Sequence, residues 1–348
     1  MAFALFERNV AKGKFFYVSY FILLLLFVFS SGLRDMIGGY DVYIYRAAFL
    51  SKDILNNEYG FEIGFNYLLL LFKAFSDSEF FMFFGLACII GVSHFKIFRT
   101  YNDYFFFAIF IYFCKFYLMS YVYLRQGVAM GIVWYSLRFV IKREFLKYCF
   151  IIFIAVLFHK SALIFFPIYF FYKKYTRIVY IGVFFAFASF VVLPVFDPIL
   201  AFVARLDARY EDYGNNLSYG VNIFYLIEAF FCFIIFLFVY NDSEKKYSTK
   251  FNNFIINGYF IYIILLLISV KQAVFIRMTW YYLVFYCICF AVYVYQTPIR
   301  YRIVKPILII VFSLLFIRML LVWDNGDFMP YKSIFDNTVR NSMWKHLL

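Results

Sequence analysis

A chain of 348 residues that is 66% hydrophobic and only 15% charged, with mean hydropathy +0.82, is excluded from the soluble globular class. The net charge of +13 does not signal nucleic-acid binding, because the basic residues stand in short clusters between long apolar runs.

The first apolar run, 15–33, follows Arg8, Lys12 and Lys14 and is predicted to be a retained anchor, since signal-peptide cores span only about 7 to 15 residues. The next stretch is acidic, with Asp35, Asp41, Asp53, Glu58 and Glu62. Residues 63–75 are too few to cross a bilayer, which needs about 20, so they are expected on the outer face or half inserted. Runs at 80–98, 104–121 and 127–141 read as membrane helices, with Arg125-Gln126 at the mouth of the third. Residues 148–172 are broken at their centre by Phe158-His159-Lys160-Ser161-Ala162-Leu163. A lysine at bilayer depth costs roughly 2.5 to 3.5 kcal/mol, so such a centre belongs in a protein-enclosed or watery cavity. Further runs follow at 178–196, 221–240, 254–270, 278–295 and 306–322. The pattern predicts an all-α polytopic integral membrane protein, one domain over 1–348, with about ten to twelve transmembrane or half-membrane helices. A broken or re-entrant segment is expected at 148–172.

Lysine and arginine cluster at 142–147, 173–177, 245–250 and 300–305, which the positive-inside rule assigns to the cytoplasm. Basic loops then flank 148–172 on both sides. Two short helices meeting near His159 satisfy this, with Pro167 bending the second arm. The competing topology lets 148–172 cross once and leaves the Lys142 cluster outside. On the hairpin reading, His159 and Arg125 approach the same side.

Six cysteines without a CxxC pair, and three distant histidines (His94, His159, His346), indicate neither a disulfide framework nor a metal centre. The absence of a DxD motif and of a soluble nucleotide-binding domain disfavours a nucleotide-sugar glycosyltransferase. A membrane O-acyltransferase is expected to carry its histidine in the first span, whereas the first histidine here is His94.

An ordered set of short motifs resembles the Wzy-type polysaccharide polymerases, in particular their EpsG-like branch. The set comprises Tyr40-Asp41-Val42-Tyr43, Glu62-Ile63-Gly64-Phe65, Arg125-Gln126-Gly127-Val128-Ala129, Phe158-His159-Lys160-Ser161-Ala162-Leu163 leading to Pro167, and Pro330-Tyr331-Lys332-Ser333-Ile334-Phe335. The resemblance implies transfer of a growing glycan from undecaprenyl diphosphate to the non-reducing sugar of another lipid-linked repeat unit. It places this at the periplasmic face of a bacterial inner membrane, without cofactor or metal. Donor and acceptor lipid-linked oligosaccharides, membrane lipid and a chain-length regulator protein are the partners it implies. O-antigen ligases share the chemistry with a different acceptor, and a lipid-linked oligosaccharide flippase is the transport alternative.

Guanidinium groups suit a leaving lipid diphosphate, whose charge grows as the C1–O bond breaks. Arg125 is the first candidate and Arg277, near Lys271, the second. The acceptor hydroxyl must lose a proton, for which His159 or Glu62 is the candidate base. Asp41, Gln126, Lys160, Ser161, Arg205, Arg209, Tyr331 and Lys332 are the candidate substrate-binding residues. Each has a plainer role beside this one: His159 as a packed histidine, Arg125 as an interfacial anchor, Glu62 as a helix cap. Arg205 and Arg209 can form a solvated face with Asp207 and Glu211, and Glu228 is an unexplained acid within an apolar run.

Overall fold

A computed structural model describes residues 13–101, 104–193, 222–242, 249–322, 324 and 327–336. Nearly all of these residues are helical, and among them no strand forms beyond one isolated bridge between Arg34 and Ser333. The chain is a multi-pass membrane protein. Among the described residues, five helical stretches are long and apolar enough to span: Lys14–Gly32, Glu79–Tyr101, Ile223–Asn241, Ala273–Tyr295 and Arg300–Leu321. Shorter apolar helices lie between them. The chain divides into two compact units, 1–166 with 297–348, and 167–296.

In the first unit we name α1 (Lys14–Gly32), α2 (Tyr40–Leu50), α3 (Ile63–Lys73), α4 (Glu79–Tyr101), α5 (Phe105–Phe116), α6 (Leu124–Tyr135), α7 (Leu137–Lys142) and α8 (Phe145–Phe158). Glycines allow these helices to approach closely, as membrane packing demands. A Cβ on Gly91 would lie 2.9 Å from Phe27 of α1, one on Gly127 of α6 2.8 Å from Ile90, and one on Gly131 would overlap Ser93. α4 is thereby clasped between α1 and α6. The expected helix over 127–141 is divided at Ser136, whose hydroxyl donates back to the Val133 carbonyl at 2.6 Å. Such back-bonding bends helices.

The segment at 148–172 is broken where the sequence predicts. α8 ends at Phe158, His159 is extended (φ −159°, ψ 119°), and a 3₁₀ run follows over Lys160–Phe170, with Pro167 inside it. The chain doubles back here, because the Tyr148 hydroxyl near the start of α8 donates to the Phe165 carbonyl at 2.7 Å and its ring stacks on Phe166. The arms match in length. Ten residues of α-helix from Tyr148 rise about 15 Å, and the 3₁₀ return covers a similar distance in fewer residues because it rises about 2 Å per residue. Neither arm reaches the roughly 30 Å of a bilayer core.

α3, with 11 residues, is also too short to span, at about 17 Å. It lies against α8 through Gly64, whose added Cβ would fall 2.8 Å from the Leu157 carbonyl oxygen and 3.0 Å from its Cβ. Gly64→Ala is therefore expected to force α3 from the hairpin and to cost about 1 to 3 kcal/mol as an overpacking change. The unfolding midpoint in detergent should fall. An unchanged midpoint would show that the contact yields freely.

The second unit contains α9 (Arg177–Val192), α10 (Ile223–Asp242), α11 (Thr249–Ser269), the turns Ile276–Thr279 and Trp280–Tyr282, and α12 (Leu283–Tyr295). Its interior is aromatic, with Phe184 and Phe233 stacked at 3.9 Å. Asn257 of α11 is buried but satisfied, donating to the Phe171 and Lys173 carbonyls and accepting from the Tyr180 hydroxyl. The last helix, α13 (Lys305–Val322), returns to the first unit and packs on α5. Beyond it, Lys332 and Ile334 pair with the 33–35 backbone at the end of α1, so the Pro330–Phe335 motif is tied to the loop that leads into α2.

Candidate functional site

Three residues far apart in sequence meet where α3, α6 and the hairpin tip converge. Glu62 is the residue before α3, in extended conformation (φ −69°, ψ 145°), and its side chain makes no helix-capping bond. It reaches the other way. One carboxylate oxygen, Oε2, accepts from Arg125 Nη1 at 2.5 Å, while Oε1 lies 3.1 Å from His159 Nδ1 and accepts the Lys160 backbone N–H at 3.2 Å. The break at His159 makes this possible, because an extended residue at the end of α8 turns both its ring and the following N–H toward one carboxylate.

Burial alone would raise the Glu62 carboxyl, but the His159 hydrogen bond, the Arg125 charge and the Lys160 N–H outweigh it and hold the group at about 2. Glu62 is thus a carboxylate at every physiological pH. Its contribution to folding is complete above the ordinary value of 4.5 and is lost as pH falls toward 2. A carboxylate only accepts hydrogen bonds, so His159 Nδ1 carries a proton. In the neutral ring Nε2 therefore holds the free lone pair.

Arg125, the second residue of α6, packs its guanidinium on the Phe61 face at 4.4 Å and lies 6.0 Å from the centroid of the Tyr45 ring. Among the described residues its buried Nε meets no acceptor. Tyr45, Phe61 and Phe65 form a tight aromatic wall, with ring centroids 5.3 to 5.7 Å apart. Tyr45 and Phe61 are absent from the residues that sequence alone selects. Phe61 adjoins Glu62, and Tyr45 stands four residues after Asp41, so both lie within one helical turn or one bond of a selected residue.

The remaining candidates distribute unevenly. Gln126 is buried beside Arg125, and the Lys160 side chain is exposed next to the triad, with Ser161 half-buried behind it. Asp41 opens α2, within electrostatic reach of Tyr45. Tyr331 lies elsewhere in the first unit, donating to the Ser30 carbonyl at 3.0 Å and lining a cavity of about 280 Å³ with Ser30, Tyr117 and Tyr121. The Lys332 backbone serves the bridge beside Arg34. Arg277, Lys271 and Glu228 belong to the second unit, and Arg205 and Arg209 lie outside the described residues.

His94 takes the plain role of a packed histidine. Fully buried in α4, it bonds Tyr112 at 2.7 Å and the Gly127 carbonyl at 2.9 Å, two residues beyond Arg125. Among the described residues no group of three or more His, Cys, Asp or Glu side chains is arranged to hold a metal ion.

Fold and site together define a polytopic helical membrane protein with a carboxylate, a guanidinium and an imidazole joined at a broken helix. The family model of the EpsG family matches residues 17–333, which include every member of this cluster, and the chain belongs to the EpsG family. No curated protein and no solved structure matches it.

Proposed function

We propose that this protein is a polysaccharide polymerase that transfers a glycan from a polyprenyl (undecaprenyl) diphosphate carrier to the non-reducing end of another lipid-linked repeat unit. The observation that carries the reading is Glu62 bridging His159 and Arg125, because it prepares an imidazole as a base within a site that also holds a cation. In the proposed reaction His159 Nε2 takes the acceptor hydroxyl proton as that oxygen attacks C1 of the donor sugar. The C1–O bond breaks, and its electron pair leaves on the diphosphate. Glu62 and Arg125 cancel in charge, so proton capture turns a neutral triad into one of net charge +1 as the leaving group gains negative charge. Arg125 adds donors to that field. His159 then returns its proton to water or to the released carrier.

On this reading the site opens to the periplasm of a bacterial inner membrane and the basic loops lie in the cytoplasm, as their charge favours. Deleting the gene is expected to abolish long polymer while single repeat units still reach the cell surface, as resolved on polysaccharide gels. Loss of single units as well would replace polymerase by flippase.

A further inference from the structure

We propose that the cavity of about 280 Å³ lined by Tyr331 is a sugar-binding subsite that takes one pyranose ring of a lipid-linked glycan; the proposal rests on the polymerase reading. The cavity lies in the first unit, at the end of α1. One side is the strap over 328–334, which is pinned at both ends. The buried Asp324 carboxylate accepts the Phe328 and Met329 N–H groups, while Lys332 and Ile334 pair with the Asp35 and Leu33 backbone. Another side is held as firmly. Arg34, 1% exposed, donates to the Ser31, Ile37 and Tyr121 carbonyls and lies over the Tyr121 ring at 4.6 Å. Ile37 and Tyr121 both line the cavity, so a buried cation fixes two of its walls.

The lining decides the class of ligand. Three tyrosine hydroxyls converge on Ser30. Tyr331 donates to its carbonyl at 3.0 Å and Tyr117 to its Oγ at 2.5 Å, while the Tyr121 hydroxyl lies 2.5 Å from that of Tyr117 and 3.2 Å from the Ser30 carbonyl. Ser30 in turn donates to the Leu26 carbonyl. Each of these hydroxyl protons is spent on the protein, so what the cluster offers a ligand is lone pairs. An ionised diphosphate diester brings only acceptors and an isoprenoid chain brings no polar hydrogen, so neither answers lone pairs. A pyranose does, with hydroxyl donors on its rim and apolar C–H faces to set against the Tyr121, Phe328 and Tyr331 rings. Volume sets the size: about 280 Å³ falls just below the roughly 300 to 1,000 Å³ of drug-sized pockets and suits one ring, not a repeat unit. Position links the cavity to the chemistry. Tyr121 precedes Arg125 by four residues, which span at most about 14 Å when fully extended, so one glycan can lie across both sites. The Pro330–Phe335 motif, which the triad leaves unused, thereby gains a role.

Two variants test this from different walls. Tyr331→Ala removes an exposed ring at the rim, and Leu320→Trp fills the cavity from α13 without touching the hydroxyl cluster. Thermal unfolding checks both, and either one that keeps the parent midpoint suffices. The probe is the free oligosaccharide released by mild acid from lipid-linked repeat units, followed by saturation-transfer NMR with the purified protein in detergent. Its ring protons should be saturated by the parent and not by the variants. In turnover of lipid-linked repeat units each variant should raise KM about tenfold with a smaller change in kcat, as for a contact away from the reacting bond. Oligosaccharide saturation that is absent from the parent, or equal in parent and variants, overturns the subsite. Farnesyl diphosphate is the rival probe: if its methyl protons alone lose saturation in the variants, the cavity holds isoprenoid and the proposal falls. If oligosaccharide saturation is lost in the variants but the parent polymerises nothing, the subsite stands and the polymerase reading fails. If polymer forms while KM and saturation are static, only the subsite fails.

Discussion

Glu62→Gln is expected to be as inactive as His159→Ala, each losing about 10²- to 10⁴-fold in polymer formation, the range of a positioned general base and its orienting partner. The reason lies in how many donors surround this side chain. Arg125 Nη1, the Lys160 N–H and the His159 Nδ1 proton all point at the carboxylate. Glutamine offers one acceptor oxygen and one NH₂. If the oxygen stays with Arg125, the NH₂ faces His159 Nδ1, which must then accept. The ring changes tautomer, Nε2 carries the proton, and the base is gone with the geometry intact. Glu62 as the base itself is disfavoured, because a carboxyl held at about 2 has little affinity for a proton. The assay is purified protein with lipid-linked repeat units and no nucleotide sugar. His159→Ala polymerising at the parent rate while Glu62→Gln is inactive would transfer the base role to Glu62.

Arg125→Lys should be nearly as damaging as Arg125→Ala, by about 10²-fold in polymer formation. An ammonium can reach Glu62, but it cannot also present a flat face to the Phe61 and Tyr45 rings. Glu62 is 6% and Arg125 21% exposed at the side chain, so the pair is only partly screened. Removing one partner strands a charge, at a cost of a few kcal/mol at most for a partly buried pair. The Glu62→Gln, Arg125→Ala double variant should accordingly lose less stability than the two single losses together, as read by thermal unfolding. Full additivity would mean that the two side chains do not interact.

Much of this arrangement is legible from residue type alone. His159, Arg125 and Glu62 stand out because polar groups at helix breaks inside apolar sequence need partners, and the structure supplies each with the others. The break itself follows from Lys160 and Pro167 in an otherwise apolar stretch. Tyr45 could not be singled out among 34 tyrosines, since nothing local distinguishes a ring that will lie beside a guanidinium 80 residues away. Helix ends are less legible: the expected helix over 104–121 ends at Phe116 and resumes as a turn over Met119–Val122. Apolar composition marks what lipid tolerates, and it does not record where tertiary hydrogen bonds interrupt the ladder. Tyr331 shows the same limit, because its hydroxyl is engaged by a carbonyl 301 positions earlier.

On the polymerase reading proposed above, the ion pair between Arg125 and Glu62 also bears on turnover. An isolated arginine would be a trap for anionic carrier, holding spent diphosphate as firmly as fresh donor and making each cycle wait on its escape. With the cation already matched by a carboxylate at 2.5 Å, the pull of these three side chains on an anion would be greatest while His159 carries the borrowed proton. Once that proton departs, the three side chains again sum to zero charge, and a spent carrier would be held less firmly than the reacting donor.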